Sequence, residues 1–128
     1  MTEIYSEQYR PQFHFSAKKN WINDPNGLVY LDGEYHLFFQ HNPFGTQWGH
    51  MSWGHAVSTD MLHWTELAVA IPEGEDDSIF SGSAVYDAFN TSGLGTTDNP
   101  PLVAIYTSNS SLRNVQSQAI AFSLDKGR

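Results

Sequence analysis

The chain has 128 residues, 40% hydrophobic and 16% charged, the make-up of one globular domain or part of one, which excludes disordered, collagen-like and coiled-coil classes. Fourteen acidic residues against six basic ones give a net charge of −8 and no basic patch, so neither nucleic acid nor an anionic membrane is an expected partner. With no Cys, disulfides, thiolate metal sites and cysteine nucleophiles drop out.

Met1 to Phe15 carries no apolar run, so it reads as neither a signal peptide nor a membrane span, and the expected location is cytoplasmic. Secretion is the alternative if the natural amino terminus lies further upstream. From Gly27 onward, short extended segments alternate with turn residues, and no apolar pattern keeps helical spacing over three turns. The fold class is therefore all-β. Leu28–Leu31 and Glu34–Gln40 flank Asp32-Gly33, a two-residue hairpin turn. Met51–Ser58 and Trp64–Ile71 follow as third and fourth strands, joined at Ser58-Thr59-Asp60. After the acidic loop Glu73–Asp77 the pattern restarts with Ile79–Tyr86, Leu102–Thr107 and Gln116–Leu124. Asp87–Pro101, rich in Gly, Asn, Thr and Pro, reads as a long surface loop.

The restart is a repeat. Ala56-Val57-Ser58-Thr59-Asp60 and Ala121-Phe122-Ser123-Leu124-Asp125 share the form Ala-x-Ser-x-Asp, 65 positions apart, each closing a third strand. Repeated four-stranded meanders mark a β-propeller. On this count 1–128 is the amino-terminal part of one propeller domain, with blade 1 at about 23–71 and an incomplete blade 2 at about 79–128.

The densest constellation is Trp21-Ile22-Asn23-Asp24-Pro25-Asn26-Gly27. Asp-Pro-Asn-Gly by itself is turn chemistry, but at the mouth of a sheet such a turn can aim a carboxylate into a central cavity. A carboxylate is ionised at neutral pH and can form an ester at a sugar's anomeric carbon, so Asp24 is the candidate nucleophile. Gln40, at a strand end, offers a planar amide for vicinal hydroxyls. Trp48, in a loop beside Gly49, is the candidate for stacking on a sugar face, whereas Trp53 alternates with Ser52 and Gly54 and belongs to the core. Ser81 opens the second unit and is expected to face the same cavity as Asp24. His41, His50, His55 and His63 have no metal-ligand spacing, and no metal or other cofactor is expected.

Together with Phe38-Phe39-Gln40-His41-Asn42-Pro43, Ser52-Trp53-Gly54-His55, Ser58-Thr59-Asp60-Met61-Leu62-His63-Trp64 and Phe80-Ser81-Gly82-Ser83, these motifs resemble the amino-terminal motifs of glycoside hydrolase family 32, the invertases, inulinases and levanases. The resemblance runs over nearly the whole chain. It implies a five-bladed propeller and retaining hydrolysis of β-linked fructose in sucrose, inulin or levan, so the partner is a fructose-containing oligo- or polysaccharide. It also implies Asp24 as nucleophile, with Asn23, Gln40, Trp48, Phe80 and Ser81 around the terminal fructose. The family's Arg-Asp-Pro and Glu-Cys motifs, which carry the transition-state stabiliser and the general acid/base, do not occur in these residues. A non-catalytic carbohydrate-binding module would use the same aromatics and amides without a second carboxyl, and is the alternative reading.

Overall fold

The computed structural model describes residues 5–128 as two antiparallel meanders packed against each other. The first sheet has the order β1 (Trp21–Leu31), β2 (Glu34–Asn42), β3 (Ser52–Ser58), β4 (Trp64–Glu66). The second has the order β5 (Ser78–Tyr86), β6 (Leu102–Ser110), β7 (Val115–Ser123). Asp32 and Gly33 take φ of 50° and 87° and close the β1–β2 hairpin between Leu31 and Glu34, the left-handed pair that the dipeptide favours.

Period-two alternation sorts the side chains of the first sheet onto two faces. Phe38 and Trp53 join Ile79, Leu102 and Tyr106 between the sheets, and Trp53 is fully buried as its spacing predicts. Its neighbour Phe39 points the other way, onto Ala17 and Ala56, where Phe15 of the amino-terminal segment covers it with ring centroids 4.9 Å apart. Arg10 ties that segment down by donating to the Ala17 and Lys18 carbonyls, and the Lys18 amide donates to Glu66 at 2.7 Å. The two Ser-x-Asp repeats make the same local structure: Ser58 Oγ donates to Asp60 and Ser123 Oγ to Asp125, and each serine caps a following backbone amide.

Two local readings need correction. Asp24-Pro25-Asn26-Gly27 is not a turn ahead of a strand beginning at Leu28; β1 starts at Trp21 and runs through it. Register shifts between Ile22 and Pro25 and between Asn26 and Val29 make the strand bulge there, which a sheet-edge Pro without an N–H tolerates. Gly27, at φ +53°, is packed so closely that a Cβ would stand 2.8 Å from the Phe38 ring of its own sheet and 3.2 Å from Ala84 of the second. The fourth strand is also shorter than Trp64–Ile71. Regular pairing ends at Glu66; the chain then bulges out, so that Leu67 bonds His55 but Ala70 and Ile71 both return to Trp53. Asp87–Pro101 is a surface loop, pinned at its base by the Asp87 amide on the Pro101 carbonyl at 3.0 Å and inside by Asp87 on Thr91 and Ser92.

Candidate functional site

The bulge of β1 lies opposite a second bulge, in β5 between Ile79 and Gly82. Bulges re-aim side chains, and here they bring residues 57 positions apart into contact: Ser81 Oγ donates to Asp24 Oδ2 at 2.7 Å. Beside it, the Gly82 amide donates to the side-chain oxygen of buried Asn26 at 3.2 Å, tying the two bulges together. The carboxyl of Asp24 is held below the usual aspartate range, chiefly by the Ser81 hydroxyl and next by the Asn23 amide. It is an exposed, ionised carboxylate at neutral pH.

One cleft of about 320 Å³ is lined by Asn23, Asp24, Gln40, Trp48, Phe80, Ser81, Thr107 and Gln116. The six residues singled out in the sequence thus meet in one place. Asn23 is oriented by the Trp21 indole, which donates to its Oδ1 at 2.7 Å. Gln40 is buried, and one N–H of its amide donates to the Ile79 carbonyl at 2.9 Å, which leaves the side-chain oxygen and the second N–H. Phe80 sits in β5 beside Ser81, and Trp48 stands edge-on to it with centroids 6.2 Å apart. At 60% exposure Trp48 offers a free indole face.

The loop that presents Trp48 is built from its base. Asn42 accepts from the Phe44 and Gly45 amides and donates to the Gln47 carbonyl at 2.8 Å, while His50 pairs with Glu73 at 2.5 Å. Of the other histidines, His41 is engaged with the Trp21 carbonyl, His63 with Asp60, and His55 with His36 at 3.0 Å. Thr107 and Gln116 were not anticipated. Their polar side chains on apolar-patterned strands carry no signal in the sequence, and only the register of the second sheet brings them to this cleft.

An exposed indole, planar amides and a hydroxyl around one ionised carboxylate can hold a neutral polyhydroxylated ligand, with a carboxylate at the centre that is able to act as a nucleophile. Among the described residues, Asp24 is the only carboxylate lining it.

The model of the glycosyl hydrolases family 32 N-terminal domain matches residues 14–128. The levanase of Bacillus subtilis is 58% identical over 127 residues, covering 99% of this chain and 18% of the levanase. The extracellular exo-inulinase of Aspergillus awamori is 51% identical over 139 residues, covering 96% of this chain and 26% of the inulinase. The crystal structure of exo-inulinase from Aspergillus awamori superposes with a TM-score of 0.90 at 50% identity, over 96% of this chain and 27% of that one. Fructofuranosidase from Schwanniomyces occidentalis complexed with fructose gives 0.89 at 46% identity, over 99% of this chain and 26% of that one. The chain therefore spans about a fifth to a quarter of the length of these relatives.

Proposed function

The chain belongs to glycosyl hydrolase family 32, and from that premise we propose that the protein it forms part of releases terminal β-D-fructofuranosyl units from sucrose, inulin or levan with retention. Its fold, all-β and matching part of the family's propeller, supports this, as do relatives named for levan, inulin and fructofuranosides. We read the first sheet as one blade and the second as part of the next. The observation that carries the proposal is the cleft itself, where Asp24 lies ionised under a Ser81 hydroxyl amid Asn23, Gln40, Trp48 and Phe80.

In this mechanism a carboxylate oxygen of Asp24 attacks the anomeric carbon and the glycosidic C–O bond breaks, the leaving oxygen taking a proton from a general acid. Water then cleaves the fructosyl ester, giving its proton to the same group and freeing Asp24. Trp48 covers an apolar sugar face, and Asn23, Gln40 and Ser81 bind its hydroxyls. Retention requires a second carboxyl about 5 to 5.5 Å from the nucleophile. Among the described residues none lines the cleft besides Asp24, so the acid is expected from outside residues 5–128, and the 128-residue span alone is expected to be inactive.

The test is Asp24→Asn in the complete protein. The amide keeps the acceptor for Ser81 but removes the nucleophilic oxygen, so fructoside hydrolysis falls by several orders of magnitude while the melting temperature holds. Turnover near that of the unsubstituted protein would reduce Asp24 to a structural residue.

A further inference from the structure

Trp48 meets Phe80 edge-on and leaves 60% of its surface in solvent, so its own packing does little to hold it over the cleft. What aims it lies in its loop. The backbone bends just beyond it, with φ of 151° at Gly49 and 49° at His50, and a residue with a Cβ keeps the left-handed conformation where surrounding contacts impose it. His50 supplies those contacts through its side chain. Its Nδ1 donates to Glu73 Oε1 at 2.5 Å, and its ring stands edge-on to Phe44, at the other end of the same loop, with centroids 5.4 Å apart. One imidazole thereby joins the two ends of the loop and fastens both to Glu73.

Glu73 is itself a fixed anchor. It opens the acidic segment Glu73–Asp77, closed on itself by the Gly74 amide donating to the Asp77 carbonyl at 2.9 Å. Asp76 accepts from the Ser110 hydroxyl and the Leu112 amide, and Asp77 from the Ser108 hydroxyl, so the second sheet frames the segment. The backbone of the Trp48 loop is tied down separately. Ser52 Oγ donates to the His50 carbonyl at 3.2 Å and accepts from the Glu73 amide at 3.0 Å, and the Ile79 amide donates to the Met51 carbonyl at 2.8 Å. These bonds remain when the Glu73 side chain is removed, so the course of the chain does not depend on the His50–Glu73 pair. What the pair adds is the orientation of the bend beside the indole.

We infer that His50 and Glu73 are positioning residues for substrate binding, the pair holding the Gly49–His50 bend so that the Trp48 indole stays over the cleft to receive a sugar face. The inference rests on the fructosidase reading of the site. It gives the acidic segment between the two sheets a part in binding, exerted through Trp48 and not by contact with the sugar.

The test is a double-mutant cycle in the complete protein, with Glu73→Ala and Trp48→Ala made singly and together and kcat/KM measured on whichever of sucrose, inulin and levan it cleaves best. Glu73→Ala is expected to lower kcat/KM about 3- to 10-fold through KM, no more than Trp48→Ala does, and to have no further effect once Trp48 is gone. Glu73→Gln keeps an oxygen acceptor for His50 and should restore most of the loss. Losses that multiply in the double variant, or none from Glu73→Ala, overturn the proposal. If the unsubstituted protein cleaves none of the three, the fructosidase reading fails separately. Fluorine NMR of the complete protein labelled with 5-fluorotryptophan then decides. The resonance that Trp48→Phe removes shifts or broadens in Glu73→Ala if the pair positions the indole, and an unchanged resonance overturns the proposal.

Discussion

Trp48 and Trp53 lie five residues apart, and the structure gives them opposite tasks. Trp53 is fully buried, packs on Phe38 and Tyr106 with centroids 5.8 and 6.3 Å away, and donates its indole N–H to the Phe80 carbonyl at 3.0 Å. Truncation to Ala should cost about 3 to 5 kcal/mol for the cavity and about 1 kcal/mol more for the carbonyl left unpaired. That carbonyl belongs to a cleft residue, so activity falls with stability. Trp48 has Phe80 as its ring neighbour and keeps 60% of its surface in solvent, so its removal should change stability by less than about 0.5 kcal/mol. A sugar covering about 60 Å² of its indole contributes about 1.5 kcal/mol at about 25 cal/mol per Å², so Trp48→Ala should lower fructoside kcat/KM about tenfold. Melting temperature and kcat/KM on both variants of the complete protein separate the roles. A Trp48→Ala protein that melts early, with a Trp53→Ala protein that melts normally but loses catalysis, would refute the argument for both residues.

Ser81→Ala removes the leading cause of the low Asp24 carboxyl pKa, so that pKa rises and the acid limb of the kcat/KM profile moves to higher pH; an unmoved limb would deny the 2.7 Å bond a part in tuning the nucleophile. Burial holds His55 down at about 4 and His36 below its usual value as well, with Glu34, Lys126 and Arg128 the charged groups facing them. The unfolded chain therefore binds protons that the folded pair refuses, and stability present above about pH 6.5 should fade as pH drops toward 4, a loss that His55→Phe should reduce in melting curves taken from pH 7 to 4. Gly82→Ala should cost about 1 to 3 kcal/mol and reduce activity together, because a Cβ there runs into the Ile105 carbonyl and displaces the bulge that carries Ser81; a melting temperature equal to that of the unsubstituted protein would contradict this. The 128-residue span expressed alone should self-associate by light scattering, since β7 is a sheet edge and Ile105, Ile120 and Phe122 are exposed; a monomer with sharp unfolding would count against it.

What the sequence makes legible is what local chemistry decides. Asp32-Gly33 demands positive φ and receives it; alternation separates Phe38 from Phe39 and puts Trp53 in the core; a serine two residues before an aspartate builds the same cap at Ser58 and at Ser123. The candidate site was legible through its motifs, because a carboxylate, amides and an aromatic at those spacings form a specific pattern. What stayed hidden depends on contacts between distant segments. Asp24-Pro25-Asn26-Gly27 has the composition of a turn and becomes a bulged strand because the bulge of β5 meets it, through Ser81 on Asp24 and Gly82 on Asn26.

Gln40 and the pair Thr107 and Gln116 show that limit from both sides. Read locally, Gln40 has a whole amide to offer a sugar; in the fold one N–H of that amide is committed to the Ile79 carbonyl, 39 residues away, so it keeps its oxygen and one N–H and fixes β5 to β2 at the floor of the cleft. Thr107 and Gln116 look like solvent-facing strand residues, and only the pairing of β6 with β5 on one side and β7 on the other brings them beside Ser81. Asp24, the proposed nucleophile, is thus supported by a hydrogen bond from the second sheet, and Thr107 and Gln116 in its cleft come from that sheet as well. On the proposed reading, the chemistry at Asp24 depends on how the two sheets pack, which makes Gly27 and Gly82, whose close approaches hold the two bulges, as consequential for function as the polar groups themselves.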